Sequence, residues 1–260
     1  MIAVNGKGGT GKTTVAALFV SDLISRKIGS ILAIDADPNS CLADALGVKG
    51  PQTIVGICEE VSKQMDKIPS GMTKDRFIEM RVQEALTEED EFDLIVMGRP
   101  EGPGCYCYVN TLLRAIIDRI SANYDFVVID NAAGMEHISR RTMRGMNALV
   151  VVSDYSIPGV RSVKKIYELA RELGIKIGRP FLVINKVSGP VKVLDNEVKA
   201  SGLEVAGEVP YDEALVEWNI SNRPIFSYDN KDIKKRMRDI LDNIIEVKND
   251  DKQGQHRPRG

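Results

Sequence analysis

Met1-Ile2-Ala3-Val4-Asn5 runs directly into Gly6-Lys7-Gly8-Gly9-Thr10-Gly11-Lys12-Thr13, and this stretch decides the fold. The first five residues read as a strand. The next eight match G-x-x-x-x-G-K-[ST], a phosphate-binding loop set between a strand and a helix. Gly6, Gly8, Gly9 and Gly11 let the loop backbone, Thr10 included, curl its N–H groups around phosphate oxygens that a Cβ would obstruct. Lys12 is placed to reach the β- and γ-phosphates, and the Thr13 hydroxyl to hold Mg²⁺. Thr13 and Thr14 open a helix predicted to reach about Lys27, whose N-terminal dipole serves the same anion. The expected ligand is a nucleoside di- or triphosphate.

Working outward, short apolar runs recur at Ile31–Ile34, Leu94–Met97, Phe126–Ile129, Leu149–Val152 and Phe181–Ile184. They are continuous rather than alternating, as strands covered on both faces are. Helical periodicity lies between them, clearest over Thr111–Ala122 and Ser162–Leu173. Repeated strand–helix–strand order predicts an α/β fold with a doubly wound, mostly parallel sheet that binds ligands at its strands' carboxyl ends. Residues 1–247 read as one domain. Residues 53–91 are charged, poor in strand character, and read as a helical insertion outside the central sheet. A last helix, about Asp232 to Val247, lines up Ile233, Met237, Ile240, Leu241, Ile244 and Ile245. A packed core face is the expected reading, with a membrane-binding amphipathic helix as its rival. Residues 248–260 read as a polar, disordered tail.

The composition narrows the partners. The chain has 260 residues, is 43% hydrophobic and carries a formal net charge of -2. It is long enough for a full core, and its balance gives no support to nucleic acid as the main partner. No run is long enough to span a bilayer, no signal peptide is recognised, and stable membrane association is not expected. Of four cysteines, two form a Cys-x-Cys, which points to metal or redox chemistry in a reducing cytoplasm. Cys41 and Cys58 stand singly in apolar helical contexts and read as small core residues.

Lys7, one residue after the first loop glycine, is not required by an ordinary phosphate loop. The variant G-K-G-G-x-G-K-[ST] resembles the deviant Walker A ATPases, which include the nitrogenase iron protein and the MinD and ParA types. The resemblance implies that Lys7 crosses a homodimer interface to the partner's nucleotide. It also assigns the Asp35-Ala36-Asp37-Pro38 stretch to a first switch, in which Asp35 binds a water of the Mg²⁺ shell and Asp37 orients the attacking water; the alternative is a plain strand-to-helix turn with an N-cap. Asp130-Asn131-Ala132-Ala133-Gly134 ends an apolar run in the manner of a Walker B strand. Asp130 would contact Mg²⁺ through water and Gly134 would sense the γ-phosphate, with Glu136 and His137 following in a second switch. Asn185-Lys186 resembles the family's adenine-contacting position, and Pro210-Tyr211-Asp212 the loop that frames the base. Guanine is not excluded by these residues.

Gly98-Arg99-Pro100-Glu101-Gly102-Pro103-Gly104 leads into Cys105-Tyr106-Cys107. One Cys-x-Cys supplies two soft ligands, whereas a closed tetrahedral site needs four. A two-fold dimer supplies the other pair by symmetry. Four thiolates suit Zn²⁺, Ni²⁺ or an iron–sulfur cluster. The phosphate motifs, the D-x-D-P-x-S-C-L stretch, the Cys-Tyr-Cys and the Ile-Asn-Lys-Val strand together resemble the CooC-type nickel-insertion ATPases. That resemblance implies Ni²⁺, with Zn²⁺ able to occupy the same thiolates, held by Cys105 and Cys107 across a homodimer. It implies as client a carbon monoxide dehydrogenase or acetyl-CoA synthase. The alternatives are an iron–sulfur cluster carrier or reductase on the same fold, and a MinD/ParA-like positioning ATPase.

Overall fold

The computed structural model describes residues 1–64, 66, 68–99, 117–133 and 145–245. Eight strands form one sheet: β1 (Ile2–Gly6), β2 (Ile31–Ala36), β3 (Thr87–Glu88), β4 (Asp93–Val96), β5 (Phe126–Asn131), β6 (Gly145–Asp154), β7 (Lys176–Val187) and β8 (Glu204–Pro210). Their spatial order is β3-β4-β2-β5-β1-β6-β7-β8. Every pairing is parallel except β3 with the edge of β4. β1 lies between β5 and β6, pairing Ile2 with both Val128 and Ala148. The phosphate loop therefore leaves the middle of the sheet.

The helices are α1 (Lys12–Arg26), α2 (Cys41–Leu46), α3 (Ile54–Lys63), α4 (Lys74–Glu84), α5 (Ile157–Glu172), α6 (Asp195–Ser201), α7 (Glu213–Ile220) and α8 (Lys231–Ile245). Residues 117–121 are also helical. Strand side chains alternate between two cores, because successive Cβ atoms point to opposite faces. Ile31, Ala33, Val150, Val152, Phe181 and Val183 join one cluster with α1, α2 and α8. Leu32, Ile34, Leu149, Val151, Leu182 and Ile184 join the other with α3, α4 and α5. Both faces are covered, so the continuous apolar runs have their expected cause.

Two expectations are revised and one strand is added. Residues 53–91 do supply helices, α3 and α4, whose Ile54, Ile57, Cys58, Val61, Phe77, Ile78 and Val82 pack on the sheet with Ile95 and Ile129, but Thr87–Glu88 joins the sheet itself by pairing with β4. The charged residues mask a buried stripe at helical spacing. β8 was not foreseen, because only Ala206 and Val209 are buried in this edge strand, too few to form an apolar run. Cys41 is exposed at the start of α2, whereas Cys58 is buried as expected. Burial holds the Cys58 thiol up at about 11.

The final helix settles as a core element. Ile233, Met237, Ile240, Leu241 and Ile244 are buried, and the face packs on α1 and β8. A Cβ at Gly207 of β8 would lie 2.5 Å from Ile240 Cγ1, so glycine permits this contact. Arg238 ties the helix to α1 by donating to Asp22 Oδ1 at 3.0 Å. No helix among the described residues is long and apolar enough to cross a membrane.

Candidate functional site

The site gathers where β1, β2, β5 and β7 end. The backbone of the loop is shaped by space as well as by dihedrals. A Cβ at Gly6 would sit 2.3 Å from the Val152 carbonyl oxygen, and one at Gly11, where φ is +90°, would sit 2.3 Å from Asn185 Nδ2. Only glycine is tolerated at either position. Gly11 also caps α1, so that helix begins at Lys12, one residue earlier than its sequence indicates.

Several bonds hold the loop in shape. The Lys7 carbonyl accepts from the Thr10 hydroxyl at 2.9 Å and from Lys12 Nζ at 3.3 Å. Lys12 is 7% exposed, while Lys7 is exposed. Asn185 Nδ2 donates to the Thr10 carbonyl at 2.8 Å, and Lys186 Nζ donates to the Gly9 carbonyl at 2.8 Å. Both residues foreseen at the base therefore touch the loop itself. Thr14, in the first turn of α1, accepts from Asn219 Nδ2 at 3.3 Å.

Opposite the loop stand two buried carboxylates, Asp35 and Asp130, which are register neighbours on β2 and β5. Asp130 Oδ2 accepts from the Thr13 hydroxyl at 2.6 Å. Its Oδ1 is buried without a hydrogen-bond partner. Burial, aided by the nearby Asp35 charge, raises Asp130 to about 7, although the Thr13 bond works the other way. An orphaned carboxylate oxygen beside a hydroxyl is the donor chemistry of a hard divalent cation. Thr13 and Asp130 thus fit Mg²⁺, which would supply charge neutralisation at the β- and γ-phosphates.

Asp35 has a further task. Its Oδ2 accepts from the N–H groups of Leu42 at 2.8 Å and Ala43 at 3.0 Å, and its Oδ1 from Asp37 N–H at 3.2 Å. Ser40, which precedes α2, is left-handed at φ 54° and makes no side-chain cap. Asp35 supplies the missing cap from the strand, satisfying helix N–H groups that would otherwise be orphaned. Burial raises it to about 6 against the pull of those three bonds. Asp37 is partly exposed in the turn between, where its Oδ1 accepts from Asn39 N and Nδ2, both at 2.9 Å. Cys41 follows. Partial burial, then the charges of Asp37, Asp35 and Asp130, raise its thiol above the usual value.

In the loop expected to frame the base, Tyr211 is 52% exposed and its N–H donates to the Val187 carbonyl at 2.9 Å. Pro210 ends β8. Asp212 caps α7 through Leu215 N–H at 2.6 Å and accepts from Tyr228 and Asn230. Its carboxylate braces the turn. The structure therefore brings Gly6, Gly8, Gly9, Thr10, Gly11, Lys12, Thr13, Thr14, Asp35, Asp37, Asp130, Asn185 and Lys186 together at the carboxyl ends of the strands. Ala133 is adjacent too, since a Cβ at Gly8 would meet its Cβ at 3.8 Å. Cys105, Cys107, Gly134, Glu136 and His137 lie outside the described residues.

Asn131 was not foreseen. It is buried, and its Nδ2 donates to the Val4 carbonyl at 3.1 Å, stitching β5 to β1 beneath the loop. An asparagine directly after the strand-ending Asp130, at the end of an apolar run, was the available signal. Asn219 gave no signal, because nothing in the sequence ties α7 to α1.

A strand, glycine loop and helix in this order, facing a buried carboxylate on a neighbouring strand, define a P-loop nucleotide-binding protein. The chain belongs to the CobQ/CobB/MinD/ParA nucleotide-binding domain family, whose profile matches residues 1–225, and it is an ATPase of that kind. An uncharacterized ATP-binding protein of Methanocaldococcus jannaschii is 42% identical over 252 residues, which cover 95% of this chain and 99% of that one. The carbon monoxide dehydrogenase accessory protein CooC of Rhodospirillum rubrum is 29% identical over 225 residues, 82% of this chain and 84% of that one. Among solved structures, the Pyrococcus furiosus cell division ATPase MinD superposes with a TM-score of 0.68 at 21% identity, covering 95% of this chain and 98% of that one. MinD of Pyrococcus horikoshii, solved with Mg-ADP, gives 0.67 at 17% identity, covering 95% and 96%.

Proposed function

We propose that this ATPase is a nickel metallochaperone serving a carbon monoxide dehydrogenase or acetyl-CoA synthase. The observation that carries the proposal is the Cys105-Tyr106-Cys107 stretch in a chain 29% identical to CooC. Position supports it. The chain leaves β4 at Val96, the register neighbour of Asp35, and Met97 N–H donates to the Asp35 carbonyl at 2.9 Å. The segment carrying the cysteines therefore starts beside the first switch.

In this reading ATP joins two protomers, with the exposed Lys7 of each neutralising phosphate charge on the other. Joining brings both copies of Cys105 and Cys107 around one Ni²⁺, the cargo. Water held by Asp37 attacks the γ-phosphorus, the bond to the β–γ bridging oxygen breaks, and ADP and phosphate leave. Asp35 passes the change at Asp37 to α2, the thiolate set opens, and the metal is released. ATP drives this cycle only if it prefers the joined state, since a ligand shifts only an equilibrium it binds unequally.

The test is an anaerobic Ni²⁺ titration of reduced protein on a sizing column, with and without ATP, beside a Cys105→Ser/Cys107→Ser double variant. One nickel per dimer, lost in the variant and altered by nucleotide, is the expected result. Nickel binding indifferent to the cysteines would overturn the proposal. Visible absorbance after anaerobic purification would replace it with the cluster-carrier reading.

A further inference from the structure

Lys186 is left-handed at φ 58°. The other non-glycine residues of positive φ among those described flank helices: Lys27 and Ser40 cap α1 and α2, and Asn222 follows the last turn of α7. Lys186 instead lies within β7, where no helix end accounts for it. The pairing of β7 with β8 also slips between Ile184 and Val187, and such irregularities beside a site re-aim side chains. Left-handed backbone in a lysine costs free energy and persists only where its surroundings hold it. Here the Asn185 carboxamide oxygen accepts the Lys186 N–H at 2.9 Å and holds it.

The slip aims two consecutive side chains at two consecutive carbonyls, Asn185 at Thr10 and Lys186 at Gly9. In a trans peptide the carbonyl and the following N–H point in opposite directions within one plane. Holding the Thr10 carbonyl on the β7 side therefore turns the Gly11 N–H the other way, and holding the Gly9 carbonyl fixes the plane it shares with Thr10. The Lys7 carbonyl is fixed separately by Thr10 and Lys12.

We infer that Asn185 and Lys186 form a clamp that orients the peptides of the phosphate loop, and that Lys186 is a positioning residue for nucleotide binding and not a base contact. The inference rests on the ATPase activity of the family and adds the residue that pre-sets its loop. Asn185 uses one amide hydrogen on Thr10, so its second hydrogen remains for a base edge. One side chain then bridges the base end and the phosphate end of the site.

The experiment compares Lys186→Met, Lys186→Arg and the unaltered protein in steady-state ATP hydrolysis, with ADP and AMP as competing ligands. A charge-assisted hydrogen bond typically decides affinity by about tenfold or more. Lys186→Met is expected to raise KM for ATP and Ki for ADP about tenfold. Ki for AMP, which lacks the β-phosphate, and kcat should stay within about twofold, and Lys186→Arg should restore the lost affinity. Lys186 is exposed, so the melting temperature should hold. If Lys186→Met does not fold, Lys186→Gly removes the clamp without the backbone cost and takes its place. An equal rise in Ki for AMP and ADP would make Lys186 a base contact and overturn the inference, as would unchanged constants for all three. Absence of hydrolysis by the unaltered protein would instead count against the ATPase assignment.

Discussion

The Thr13 hydroxyl donates to Asp130 Oδ2 at 2.6 Å, linking the first turn of α1 to the end of β5 while Oδ1 of the same carboxylate stays buried and unpartnered. One oxygen is fixed by the protein and the other has the chemistry of a cation ligand. Asp130→Asn should lower Mg²⁺-dependent hydrolysis at least about a hundredfold, because a neutral amide cannot replace a carboxylate near a hard metal. The nucleotide-free protein should melt a few degrees higher, since a buried charge beside Asp35 is removed. Hydrolysis rates and thermal melts on one preparation check both effects.

The two raised carboxylates set a pH dependence. Their folded values, about 6 for Asp35 and about 7 for Asp130, lie above the unfolded carboxylate range. The folded state therefore holds more protons between about pH 4 and 7, so these groups make the nucleotide-free protein less stable as pH rises through that window. A Mg²⁺ held beside Asp130 would require the ionised carboxylate. Magnesium–nucleotide affinity should thus fall about tenfold per pH unit below about pH 7. Calorimetric titrations of Mg·ADP across pH 5.5–8, alongside melts without ligand, read the opposing slopes; parallel slopes would contradict the assignment.

Asp35→Ala removes the acceptor for three N–H groups, including the cap of α2. It should cost about 1–2 kcal/mol, the range of a lost helix cap. Asp35→Asn keeps an acceptor oxygen and should cost less. Hydrogen exchange over residues 37–46 locates the effect: protection should collapse there in Asp35→Ala and persist in β1 and β6.

Gly11→Ala places a Cβ 2.3 Å from Asn185 Nδ2 at a backbone φ of +90°. The strain amounts to about 1–2 kcal/mol, and relief requires Asn185 to leave Thr10. ATP affinity should fall more than about tenfold, with the rest of the sheet keeping its exchange protection.

Leu241 is fully buried on the inner face of α8. Leu241→Ala should destabilise the protein by about 2–5 kcal/mol, the usual range for such truncations. Liposomes should neither bind nor protect the unaltered chain. Lipid-dependent burial of α8 would reopen the membrane-anchor reading.

Much of this architecture was legible in the sequence, for identifiable reasons. The runs at Ile31, Phe126, Leu149 and Phe181 are strands because both faces of the sheet are covered, which removes any polar alternation. The phosphate loop was legible because glycine is needed where backbone meets backbone. β8 and the packed face of α3 and α4 were less plain, since an edge strand with two buried residues makes no apolar run and charged helices hide short buried stripes. The second role of Asp35 was legible only as the alternative of a strand-to-helix turn with an N-cap; which residue caps was not, because its partners are backbone N–H groups, which every sequence offers. The loop contacts of Asn185 and Lys186 depend on a strand slip that no residue type announces.

The Asp35 cap has one more consequence. The chain leaves this residue, passes through Asp37, and returns at Leu42 and Ala43 to the carboxylate it started from. Residues 35–43 are thus closed into a macrocycle, with hydrogen bonds where a small secreted protein would use a disulfide. A displacement at Asp37 would thus meet a closed ring joined to the first turn of α2, not a free turn.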